Sequence, residues 1–96
     1  MERLKLLKYK DFKISGKSLG SVYTFENIGD ELPLHTHTEE TNHYTIVASG
    51  SIECLGSSKG KILKSPEAIA WKVGTPHGFK ALEPNTVVYN INTWQN

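Results

Sequence analysis

The stretch GDELPLHTHTEETNHYTIVASG, residues 29–50, decides how this chain is read. His35 and His37 stand two apart, and successive side chains on a strand alternate faces. Both imidazoles therefore project to one side, with Cβ atoms about 6–7 Å apart, a spacing that suits two ligands of one ion. His43 then begins a second alternating run, with His43, Thr45 and Val47 on one face and Tyr44, Ile46 and Ala48 on the other. A neighbouring strand of this kind can bring a third imidazole to the same point.

Moving outward, the remaining histidine is His77, which follows the turn Gly74-Thr75-Pro76 and starts a run with His77 and Phe79 on one face. Four neutral imidazoles from three strands are then available to one centre. Imidazole nitrogens bind first-row transition ions at about 2.0–2.3 Å, whereas Ca²⁺ and Mg²⁺ demand several oxygen ligands. The expected cofactor is one divalent transition-metal ion drawn from Fe, Mn, Ni, Co, Zn or Cu.

The rest of the chain reads as further short strands: Leu4 to Tyr9, Leu19 to Phe25, Ile52 to Leu55, Lys61 to Leu63, Ala68 to Val73 and Thr86 to Ile91. Turn chemistry bounds them, at Gly29-Asp30 with Pro33, Ser49-Gly50-Ser51, 56–60, Ser65-Pro66, Gly74-Thr75-Pro76 and Glu83-Pro84-Asn85. Turn signals about every ten residues indicate an antiparallel sandwich or barrel. No window of a dozen residues keeps helical spacing without meeting Gly or Pro, so little or no helix is expected beyond one short turn in SPEAIA, residues 65–70. At 96 residues the chain encloses one core, and residues 1–96 form a single domain.

Composition narrows the function. A formal charge of +1, from eleven basic and ten acidic residues, creates no field to attract nucleic acid or an anionic membrane. Lys5, Lys8, Lys10, Lys13 and Lys17 are read as solvated side chains of an edge strand, where charge discourages pairing with other chains. The single cysteine, Cys54, forms no internal disulfide and sits on an alternating strand as a buried, inert thiol. The start MERLKLLKYK lacks the apolar run of a signal peptide, and no segment reaches the ~18–20 apolar residues of a membrane span, which suggests a cytoplasmic protein.

These residues carry a family resemblance. Gly29, five residues, His35-Thr-His37, five residues, His43, six residues and Gly50 resemble the first cupin motif, with His43 where that family usually has a glutamate, one residue later than its commonest spacing. WKVGTPHGF resembles the second motif, with His77 as its ligand and Ala81 in place of a frequent asparagine. Motif one covers about 29–50 and motif two about 65–81. The resemblance implies a six- to eight-strand antiparallel barrel or jelly roll with the metal inside one end and His35, His37, His43 and His77 as its ligands. Histidine in place of glutamate leaves a divalent ion's full charge uncompensated, which favours an anionic ligand or a more acidic bound water.

Around this centre, Phe79 is the expected pocket wall and Tyr23 a candidate lining hydroxyl. Glu39 and Glu40 read first as solvated loop carboxylates, with Glu39 the candidate for a general base or a partner to an imidazole N–H. The resemblance implies a metalloenzyme of the dioxygenase or lyase kind acting on a small organic acid, enediol or sugar-derived substrate; the alternative is a non-catalytic module that binds a small molecule or metal. Small cupins usually pair, so a homodimer is expected, joined along Leu4 to Tyr9 or Thr86 to Trp94.

Overall fold

A computed structural model describes residues 7–14, 16, 18–35, 41–56 and 59–94, with the side chains of Leu7, His35, Thr41 and Trp94 excepted. Nine strands account for most of them: β1 (Leu7–Ile14), β2 (Ser18–Phe25), β3 (Glu31–His35), β4 (Thr41–Ser49), β5 (Ser51–Gly56), β6 (Ile62–Lys64), β7 (Ala68–Trp71), β8 (His77–Ala81) and β9 (Thr86–Trp94). They form two antiparallel sheets, β1-β2-β9-β4-β7 and β3-β8-β5-β6. The fold is all-β, as the alternating runs require, and no helix among the described residues is long and apolar enough to cross a membrane.

Nine strands exceed the six to eight expected. The first runs over Leu7–Ile14 rather than ending at Tyr9, because Lys8 and Lys10 alternate with Tyr9, Asp11 and Lys13 along an edge whose solvent side tolerates charge. Ser65-Pro66 makes a turn and not a helix, with Ser65 Oγ–H donating to the Ala48 carbonyl at 2.9 Å. A further correction concerns Thr86 to Trp94. β9 lies between β2 and β4 with both ladders filled, so it offers no edge for a partner.

The core lies between the sheets. Phe25, Val47, Trp71 and Val88 from the larger sheet meet Leu32, Ile52, Cys54, Leu63, Phe79 and Ala81 from the smaller one. Cys54 is wholly buried with a free thiol, and burial raises its pKa above the ordinary value, so it stays protonated and inert. The β4–β5 hairpin turns at Gly50 with φ of 79°, and a Cβ there would strike Thr86, so both backbone conformation and packing select glycine. At the start of the quoted stretch, Gly29 N–H donates to the Ala81 carbonyl and Ala81 N–H to the Asp30 carbonyl, each at 2.9 Å. These bonds dock the β2–β3 connection onto β8 and bring β3 alongside the strand that carries His77.

Candidate metal centre

His43 and His77 belong to different sheets and meet between them. On β4 the inward residues are His43, Thr45 and Val47, exposed by 5, 0 and 0%, while Tyr44 on the opposite face is 39% exposed. On β8 the inward residues are His77, Phe79 and Ala81, all buried. The two imidazole centroids stand 4.9 Å apart with rings at 88°.

His77 is held on several sides. Its Nδ1 lies 2.9 Å from the Thr75 carbonyl, an acceptor only, so Nδ1 carries a proton, and in the neutral ring Nε2 is the lone-pair nitrogen. The Trp71 indole stacks on the ring at 4.8 Å and 13°, and Phe79 closes another side at 6.2 Å. Gly78 lets β3 come close, because a Cβ there would stand 2.6 Å from the Leu32 carbonyl oxygen.

Trp71 is itself anchored. It is the Cα partner of His43 on β4, and its Nε1–H donates to Thr45 Oγ1 at 2.9 Å. The Thr45 hydroxyl then donates its own proton to Asn90 Oδ1 at 2.6 Å. That assignment leaves the Asn90 amide N–H groups for Tyr23, whose hydroxyl bonds with Asn90 and with Ser21. Burial raises the Tyr23 pKa, and these bonds only partly offset it, so the phenol is neutral at ordinary pH.

Of the ligands expected from the sequence, the structure brings His43 and His77 together. His35 ends β3 as the Cα partner of His77, and its side chain lies outside the described residues. His37, Glu39 and Glu40 also lie outside them. Among the described residues no three histidine, cysteine or carboxylate side chains cluster as a ligand set. Phe79 stands near His77, whereas Tyr23 is linked to the histidines through Asn90, Thr45 and Trp71.

Does this donor set fit a transition metal? Two imidazoles bound to one ion at about 2.0–2.1 Å place their ring centres about 4.5–5.3 Å apart, from right-angled to tetrahedral coordination, and the 4.9 Å centroid spacing falls in that range. The hydrogen bond from His77 Nδ1 to a backbone carbonyl is the arrangement that orients ligand histidines. The residues present fit such an ion.

Sequence reasoning missed Trp71, Thr45 and Asn90 as parts of the centre. Trp71 read as core filling because nothing in a linear pattern tells which aromatic will meet an imidazole from the other sheet.

No protein-family model matches the chain, and no curated protein does. Solved structures do. KdgF from Halomonas sp. superposes with a TM-score of 0.82 at 20% identity, over 96% of this chain and 82% of that one. An RmlC-like cupin protein from Desulfovibrio desulfuricans gives 0.76 at 23% identity, over 93% and 83%. The fold is that of a cupin. The cupin architecture also stands inside larger proteins: the Cupin_2 domain of an XRE family transcriptional regulator from Enterobacter cloacae gives 0.79 at 12% identity, over 95% of this chain and 99% of that one. In this cupin-like fold, His43 and His77 sit on the facing sheets, and Trp71 and Phe79 wall the space they share.

Proposed function

We propose that this cupin holds one divalent first-row transition ion through His43 and His77, completed by His35 and His37, and uses it on a small organic acid, enediol or sugar-derived ligand. The observation that carries the proposal is the meeting of two buried imidazoles from opposite sheets, one of them fixed by the Thr75 carbonyl. Such an ion, when bound, supplies Lewis acidity and open coordination positions. The chain's own residues do the rest. The Thr75 carbonyl holds the proton on His77 Nδ1, Trp71 prevents the ring from turning, and Phe79 excludes water. Glu39 is the proposed base, and the reaction class is that of a dioxygenase or lyase.

Elemental analysis of the protein as purified, beside His77→Ala and His37→Ala variants, tests the metal. About one ion per chain in the parent and near none in either variant is the expected result; equal content in all three refutes it. Screening O₂ uptake and turnover of small hydroxy acids on the loaded protein then separates enzyme from binding module. The second reading, a non-catalytic cupin that binds a small molecule, is favoured by the cupin domain of the transcriptional regulator, which has the same fold over nearly all of its length.

The same proposal includes a cytoplasmic homodimer, with no nucleic-acid or membrane partner. Support for pairing comes from the outward face of the larger sheet. There β9 presents Val87, Tyr89 and Ile91, flanked by Phe12, Val22, Ile46 and Tyr44, an apolar surface that solvent covers at a cost. The single, buried cysteine and the near-neutral charge support the rest.

A further inference from the structure

The inward face of the larger sheet changes character on leaving the histidines. Asn92 is the Cα partner of His43, and Leu19 and Lys13 continue that row on β2 and β1. The adjacent row holds Thr45, Asn90, Ser21 and Asp11. Together Asp11, Lys13, Leu19, Ser21 and Asn92, with Phe12 and Gly20, line a half-open groove of about 460 Å³. That volume lies within the ~300–1,000 Å³ usual for small-molecule sites. The Phe12 ring lies over Gly20 on the outer face and fills the space a side chain would take, so the groove floor is closed from behind.

We propose that this groove is a subsite for the hydroxylated portion of a small acid whose carboxylate lies at the histidine centre; the proposal rests on the metal-site reading above. The lining groups select the ligand chemistry. Asp11 already accepts a hydrogen bond from Ser21 Oγ at 2.6 Å and keeps further acceptor capacity, the Asn92 amide both donates and accepts, and Lys13 only donates. An anionic group in the groove would face the Asp11 carboxylate. An ammonium group would find Lys13 beside it and offer nothing to the donors. A hydroxyl both donates and accepts, and consecutive hydroxyls satisfy a carboxylate, an amide and an ammonium in turn, while Leu19, 45% exposed, takes the C–H face. The formal charges of Asp11 and Lys13 cancel, which also suits an uncharged polyol segment.

The hydrogen-bond chain from Tyr23 through Asn90 and Thr45 to Trp71 runs beside the groove on the same face of the sheet, to the ring stacked on His77. Groove and histidines are thus parts of one ordered surface.

The test uses the full chain with zinc and two acids of equal carbon number, gluconate and hexanoate, measured by isothermal titration calorimetry. Gluconate is expected to bind at least tenfold more tightly than hexanoate. Asp11→Asn is expected to weaken gluconate binding about tenfold, the worth of one hydrogen bond to a charged group, Asn92→Ala about threefold, the worth of a neutral one, and both to leave hexanoate unchanged. Zinc affinity, read separately by competition with a chromophoric chelator, stays within about twofold in Asp11→Asn, which shows that the variant is folded. Equal binding of the two acids, no gluconate binding, or gluconate binding indifferent to Asp11→Asn overturns the subsite. Failure to take up zinc overturns the metal reading instead, and the gluconate and hexanoate comparison on the metal-free protein then decides the groove on its own.

Discussion

Replacing Thr45 by valine tests whether the polar chain beside the histidines orders the centre. The side chains are nearly isosteric, so packing is kept while the hydroxyl is lost. Thr45 is wholly buried, and its hydroxyl both accepts from Trp71 and donates to Asn90, themselves 6% and 4% exposed. Valine strands the indole N–H and the amide oxygen together. A buried polar group deprived of its partner costs about 1–3 kcal/mol, so two cost about 2–6 kcal/mol. The added buried methyl returns about 0.8 kcal/mol, leaving a net loss of about 1–5 kcal/mol. In a domain of this size each kcal/mol lowers Tm by about 4–8 °C, and total stability is commonly only about 5–15 kcal/mol.

Urea unfolding followed by circular dichroism and by tryptophan fluorescence measures the loss. Thr45→Val in a Trp71→Phe background is expected to cost less than in the parent, because the stranded indole donor is then absent. Thr45→Ser, which keeps the hydroxyl, separates loss of the bonds from loss of the methyl. A loss below about 0.5 kcal/mol in the single valine variant, or additive costs in the double variant, would show that the chain of bonds contributes nothing net and would refute the reasoning.

Two other perturbations read different parts of the structure. Burial raises the Tyr23 hydroxyl pKa, so folding favours the neutral phenol; its contribution is whole below the ordinary value of about 10 and is lost as pH rises through the higher folded value. Absorbance at 295 nm should show a late-ionising component that Tyr23→Phe deletes, and its persistence in that variant would assign it elsewhere. Gly78→Ala places a Cβ against the Leu32 carbonyl and should lower stability by about 1–3 kcal/mol while weakening zinc binding, because β3 must move away from β8; an unchanged Tm counts against that close approach.

Much of the fold was legible because period-two alternation is a local property. His43, Thr45 and Val47 face inward as the run of residues 43–48 indicated, and Cys54 is buried as its strand indicated. That His43 and His77 share one centre was anticipated from the histidine pattern and then from the resemblance, but not that their strands belong to different sheets. β9 defeats a hydropathy reading. Its apolar Val87, Tyr89 and Ile91 point outward, while Thr86, Asn90 and Asn92 point inward with Val88 the one apolar residue among them, nearly the reverse of an ordinary core-facing strand. Tyr89 therefore read as a core or interface residue, and neither asparagine drew notice.

The order of residues alone determined that this chain forms short antiparallel strands, where they turn, and that His35, His37, His43 and His77 were its only imidazoles for a metal. Tertiary structure decided which face of β9 lines the interior, that Trp71 stacks on His77, and that a polar groove adjoins His43. The physical reason is that alternation tells which side chains share a face but not which face is enclosed. Enclosure comes from the second sheet, whose placement depends on long-range pairing such as β3 with β8 and β5 with β8, and no local pattern encodes it.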